Sequence, residues 1–182
     1  MSHRLFVAIT PPEPVVDALV DTMEALDNAR WQSDEQLHLT LRFVGEVDRH
    51  MAEDLANMLA QIDFAPFEIR VDGVGHFETR GRVRAIWAQV ERSPALLCLQ
   101  QRVEQACRRA GLAPETRVFT PHVTVARLNR SSARGDIAAW LARHADLHLP
   151  PWPVDHFVLY ESHLTKNGSI YAPTVKYPAS GA

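Results

Sequence analysis

The same order of elements can be read twice along this sequence, and that repeat constrains the fold more than any single segment. Residues 4–9 form a short apolar strand pattern that Pro11 and Pro12 interrupt. Val15, Val16, Leu19, Val20, Met23 and Leu26 then recur at helical spacing. Residues 37–44 alternate, with Leu39, Leu41 and Phe43 on one face, His38, Thr40 and Arg42 on the other, and Gly45 at the expected end. Met51, Leu55, Met58, Leu59 and Ile62 mark a second helix, and residues 67–74 alternate again.

The second half follows suit. Residues 84–90 are rich in strand formers, and Ser93-Pro94 opens a helix carrying Leu96, Leu99, Val103, Ala106 and Ala110, with Gly111 as its C-cap. Residues 122–126 read as a strand and 135–145 as a helix. Two strands, 154–160 and 169–176, are joined near Asn167-Gly168, a hairpin signal. The expectation is an α+β protein of duplicated β-α-β-α-β lobes with antiparallel sheets around a central cleft. It forms a single bilobal domain, with approximate repeat halves 4–76 and 84–177.

A length of 182 residues suffices for one core without staples. The net charge of −3 argues against a protein that binds long nucleic acid mainly through overall charge, though not against a local basic pocket. Cys98 and Cys107 fall on one helix about 13 Å apart on opposite sides, too far for a disulfide. Both are expected to be buried or half-buried thiols in a reducing compartment. The apolar run at 5–9 is too short for the core of a signal peptide, and no segment approaches the ~20 apolar residues of a membrane helix. A cytoplasmic monomer is expected.

Two of the nine histidines sit at matched places in the repeat. The middle strands read His38-Leu39-Thr40-Leu41 and His122-Val123-Thr124-Val125, both His-x-Thr-x with apolar x. Residues i and i+2 of a strand share a face, so each His and Thr point together while the apolar residues enter the core. One such pair is commonplace; two, matched within a repeat, point to a polar cleft between lobes. Imidazole titrates near 6.5, so one histidine can act as base and its counterpart as acid. Threonine hydroxyls can bind an anionic oxygen or fix an imidazole rotamer. An anion held between the pairs suits in-line attack at phosphorus without a metal or other cofactor.

The paired motifs, their spacing and the length resemble the 2H phosphoesterase superfamily, and within it the RNA 2′,3′-cyclic phosphodiesterases, also called 2′-5′ RNA ligases. Residues 4–9 (RLFVAI), 38–45 (HLTLRFVG), 120–127 (TPHVTVAR) and 159–162 (LYES) add to the resemblance. It implies a LigT-like fold and hydrolysis of a terminal 2′,3′-cyclic phosphate on RNA to a 2′-phosphate, with reversible 2′-5′ joining of RNA ends in some relatives. By the family pattern His38 is the proton donor and His122 the proton acceptor, and Thr40, Thr124 and Arg127 bind the phosphate. The pseudo-symmetry of the lobes does not by itself assign the two histidine roles. In an uninterrupted strand Arg127 would share the face of Val123 and Val125, so its place in the cleft requires a bulge or strand end. By parity Arg42 is the better-placed cleft arginine.

Arg80-Gly81-Arg82-Val83-Arg84 is the densest basic run, read as a solvated loop or a contact for RNA phosphates beyond the reacting end. Phe6, Phe119, Trp31 and Tyr160 are candidates for base stacking, with Phe6 and Phe119 expected in the core. The other seven histidines show no pattern. His144 and His148 lack the Glu of a His-Glu-x-x-His zinc site, and no Gly-rich phosphate loop is present. The competing readings are a 2H-type phosphodiesterase acting on a small cyclic nucleotide, such as ADP-ribose 1″,2″-cyclic phosphate, and a non-catalytic module that binds RNA ends.

Overall fold

In the computed structural model, which describes residues 2–181, the first apolar run becomes β1 (Ser2–Ile9). Pro12 caps α1 (Glu13–Val20). This helix is shorter than the apolar spacing implied. Thr22 turns its hydroxyl onto the Leu19 carbonyl at 2.7 Å, competing with the helical ladder. Leu26 nevertheless reaches the core from the following turn.

A short β2 (Ala29–Trp31) and a 3-10 turn (Asp34–Gln36) precede β3 (Leu39–Asp48). Gly45 does not end β3. It adopts φ +86° where the register to β1 slips, and the strand continues to Asp48. Asp48 then accepts from the Met51 amide and caps α2 (Arg49–Leu59). The expected strand at 67–74 is two strands, β4 (Phe67–Ile69) and β5 (Val71–Thr79). The second half contributes β6 (Arg82–Val90), α3 (Pro94–Arg109), β7 (His122–Leu128) and α4 (Arg134–Arg143). It ends with β8 (Trp152–Val154), β9 (His156–Thr165) and β10 (Gly168–Pro178). Lys166 and Asn167 form the β9–β10 turn, one position before the expected pair, because Thr165 and Gly168 are already ladder partners.

The fold is α+β. The main sheet runs β10-β9-β1-β3-β7-β6-β5, with β2 added beside β7, and every pairing is antiparallel. Each half of the sequence lends strands to the other: β5 lies against β6, while β9 lies against β1. The two motif strands, β3 and β7, meet at the single pair Leu39–Val123. Leu39, Leu41, Val123 and Val125 are buried in one continuous core with the inward faces of α2 and α3. At ~25 cal/mol per Å² of apolar surface, truncating any of these would cost about 2 kcal/mol or more.

The cysteine expectation holds for one residue only. Cys107 is buried and its thiol is pushed up to about 12 by desolvation, whereas Cys98 is exposed. Two residues on opposite sides of a helix with one buried face cannot both reach the core. No helix among the described residues is long and apolar enough to cross a membrane.

Candidate active site

Because β3 and β7 are antiparallel and paired at Leu39–Val123, His38 lies beside Thr124 and Thr40 beside His122 in the register. With Leu39 and Val123 facing the core, these four side chains occupy the opposite, common face. Thr40, His122, Thr124 and Arg127 line a cavity of about 480 Å³ on that face. His38 flanks it, half-buried, close enough for the charges of His122 and Arg127 to act on its imidazole.

The two imidazoles are held in the same way. His38 Nδ1 donates to the Gln36 carbonyl and His122 Nδ1 to the Thr120 carbonyl, each at 2.6 Å. A carbonyl can only accept, so the proton of each neutral ring sits on Nδ1 and Nε2 is left free for proton transfer. The anchoring differs between the halves. Gln36 is pinned by its own side chain, whose Oε1 accepts from the Ser33 amide at 3.0 Å and whose Nε2 donates to the Ser169 carbonyl of β10 at 2.7 Å. Thr120 is restricted by Pro121, which disfavours helical backbone in the residue before it.

Aromatic rings back each histidine. His38 meets Phe6 at 4.9 Å and the edge of Tyr171 at 5.1 Å, and Tyr160 stacks on the other side of Phe6 at 5.2 Å. His122 meets Phe77 edge-on at 4.7 Å and Trp87 at 5.4 Å. Burial lowers both imidazoles, and each carbonyl bond partly opposes it. Nearby positive charge lowers them further, from Arg127 for His122 and from His122 and Arg127 for His38, which falls to about 4. Both are neutral at pH 7, and an anion between them would offset the repulsion.

A bulge answers the parity question for Arg127. Opposite β6, Trp87 pairs with Thr124 but Ile86 with Ala126, so Val125 is an extra residue. Val125 and Ala126 are both buried, and Arg127 turns into the cleft opposite Ala85. The same bulge occurs in β3, where Ala8 pairs with Thr40 and Val7 with Arg42, leaving Leu41 extra. Parity therefore fails for Arg42. Its guanidinium borders the cavity but bonds Glu104 at 2.6 Å and the Ala113 carbonyl at 2.7 Å, with Glu115 at 3.5 Å. Phe43 takes the place in β3 that Arg127 has in β7. Hydrogen bonds from Arg117 hold the Glu115 carboxyl down at about 2, so this wall of the cavity is ionic.

A family model described as the 2′-5′ RNA ligase superfamily matches residues 11–166. The chain belongs to that superfamily. Among its members, an RNA 2′,3′-cyclic phosphodiesterase of Thermotoga maritima is 32% identical over 176 residues, covering 92% of this chain and 91% of that protein. One from Aeropyrum pernix is 32% identical over 150 residues, covering 82% and 85%. The crystal structure of TT0787 of Thermus thermophilus superposes with TM-score 0.84 at 27% identity over 98% of each chain. Escherichia coli LigT complexed with 3′-AMP shares the fold, with TM-score 0.78 at 23% identity over 99% of each chain.

Several residues at the cleft were not singled out by sequence. Phe77 belongs to the part of β5 read as a connection, and Tyr171 to the outer hairpin. Gly75 offered a signal: it pairs with Trp87, and a Cβ there would stand 2.3 Å from the indole. Of the four aromatic candidates, Phe6 is buried as expected, and Phe119 is half-buried and lines the cavity. Trp31 packs against the core, and Tyr160 shares a 2.5 Å hydrogen bond with Thr10. Most remaining histidines pair with carboxylates at the surface, such as His148 with Asp72 and His156 with Asp155. Among the described residues no group of three or more His, Cys, Asp or Glu is placed to hold a metal ion.

Proposed function

We propose that the cleft hydrolyses a terminal 2′,3′-cyclic phosphate on RNA to a 2′-phosphate, using its two histidines as acid and base. The observation that carries this reading is the matched pair of Nδ1-anchored imidazoles across a threonine-lined cavity. The names of the relatives point to the same substrate. Binding alone would need neither a free Nε2 acceptor nor a second imidazole opposite it.

In this mechanism the Thr40 and Thr124 hydroxyls and the Arg127 guanidinium hold the phosphate oxygens, and Arg127 offsets charge that builds on them. His122 Nε2 takes a proton from water as its oxygen bonds to phosphorus. The bond from phosphorus to the 3′ oxygen breaks, and that oxygen takes the Nε2 proton of His38. The 2′ oxygen keeps the phosphate. His38 must gain its proton as the anionic substrate binds, because the free cleft holds it neutral. A 5′ hydroxyl in place of water would form a 2′-5′ phosphodiester by the same transfers. Arg42 acts at a remove, tying the wall of residues 113–115 to β3 and α3.

An oligonucleotide ending in 2′,3′-cyclic phosphate tests the reading. The expected product carries a 2′-phosphate and forms undiminished in EDTA. A 3′-phosphate product would refute the assigned roles, and loss of turnover in EDTA would refute the metal-free mechanism.

A further inference from the structure

The arginine ion pairs among the described residues involve Arg42, Arg49, Arg70, Arg117 and Arg143. Arg30, Arg80, Arg82, Arg84, Arg127 and Arg134 are exposed, have no carboxylate partner there, and lie together. Arg30 on β2 is the register partner of Arg127 on β7, so the two project from the same face. Arg127 in turn pairs with Ala85 on β6, a residue that lines the cavity.

From Ala85 the row continues outward. Phe77 pairs with Ala85 and Glu78 with Val83, which leaves Arg84 as a bulged residue without a ladder partner. Val83 packs against the core, so Arg82 projects from the other side of the strand, while the bulge releases Arg84 from strict alternation. Arg82 lies roughly 10 Å along β6 from Ala85. Beyond it Arg80 takes φ +53° and Gly81 φ +72° in the hairpin tip, and Arg134 Nη2 bonds the Gly81 carbonyl, fixing the tip against α4. Exposed Phe77 runs beside this row on β5. Glu78, the register partner of Val83, shares that residue's face, and its carboxylate stands 4.0 Å from the His76 ring.

A protein of net charge −3 that masses unpaired guanidinium groups on one flank of its cleft has a local use for them. We propose that Arg80, Arg82 and Arg84 carry the phosphates of the RNA strand on the 5′ side of the reacting end, so that the β5–β6 hairpin makes the enzyme prefer an oligonucleotide over a cyclic mononucleotide. This rests on the cyclic phosphodiesterase reading and adds the direction in which the polymer leaves the cleft. A row starting at the phosphate-binding arginine and extending along a strand fits a chain of regularly spaced phosphates.

The test compares wild type with the triple variant Arg80→Gln, Arg82→Gln, Arg84→Gln on two substrates, a ten-nucleotide RNA and a mononucleotide, both with 2′,3′-cyclic phosphate. The expected result is a drop of about tenfold in kcat/KM on the RNA and no change on the mononucleotide. The dependence of log kcat/KM on log salt should flatten by about 2, at roughly 0.7 per single-strand phosphate contact. A triple lysine variant should keep most of the RNA preference. Equal losses on both substrates would mean general steering of anions, and no loss on either an idle hairpin; both overturn the proposal. If wild type cleaves neither substrate, the phosphodiesterase reading has failed separately. Fluorescence anisotropy with a 3′-phosphorylated ten-mer then decides the track alone, unchanged affinity in the glutamine variant refuting it.

Discussion

Up to the threonine, the two motif strands present the same chemistry to the cleft; past it they diverge. β7 places Arg127 there, and β3 places Phe43, with the Arg4 guanidinium 5.1 Å from its ring centre. The bulge is the same in both, so the difference lies in side chains and not in backbone. One half therefore offers the cleft a positive charge, the other a half-exposed apolar surface. On the proposed mechanism, the two halves share the acid–base work equally and divide the work of holding the substrate.

The largest expected effects would break the symmetric part of this comparison. His38→Ala and His122→Ala should each lower kcat by about 10²–10⁴-fold on the cyclic-phosphate oligonucleotide. Near-normal turnover in either would remove that half from the chemistry. Next come the positions that differ. Arg127→Ala should cut kcat/KM by about 10–100-fold, as expected for losing a charged transition-state contact. It should also raise both imidazole pKa values, visible by NMR titration, because the Arg127 charge lowers them. Phe43→Ala should cost only a few-fold, mostly in KM; a loss as large as that of Arg127→Ala would erase the proposed division of tasks.

The pH profile sharpens the comparison further. kcat/KM reports the ionisations of the free enzyme, and the proposed mechanism draws on the fraction with His38 protonated and His122 neutral, a minor one at pH 7. Both imidazoles lie below 6.5, His38 at about 4, so the optimum of kcat/KM should fall on the acid side of about 6.5. kcat, which reports the bound complex, should peak at higher pH because the anion favours imidazolium. A kcat/KM optimum above about pH 7 would contradict the assigned environments. The smallest effect concerns the anchors: Gln36→Ala should lower kcat a few-fold and Gln36→Glu less, since only in this half does a side chain fix the accepting carbonyl. An unaltered kcat and His38 titration would show that the backbone suffices.

Much of this was legible in the residues themselves. Alternation located β3 and β7, helical spacing located α2 and α3, and the duplicated His-x-Thr marked the four side chains that now share one face. What escaped the reading depends on distant partners. No local pattern says that β9 joins β1, and Gly75, just past the expected strand end at residue 74, reads as the start of a connection until Trp87 is seen above it. The bulges at Leu41 and Val125 likewise arise from pairing, and they exchange the parities of Arg42 and Arg127. Cys98 was misplaced for a simpler reason: its helix has one buried face.

The exchange of strands between halves also sets a timetable for synthesis. Chains emerge N-terminus first and domains generally fold as units. His38 is made early, but the carbonyl that orients it belongs to Gln36, whose side chain is tied to Ser169, and the strand flanking β1 is β9. Until the ribosome has delivered β9 and β10, that histidine has no finished setting. A nascent or truncated chain lacking those two strands is therefore expected to be inert toward RNA, even though both His-x-Thr motifs are already present in it.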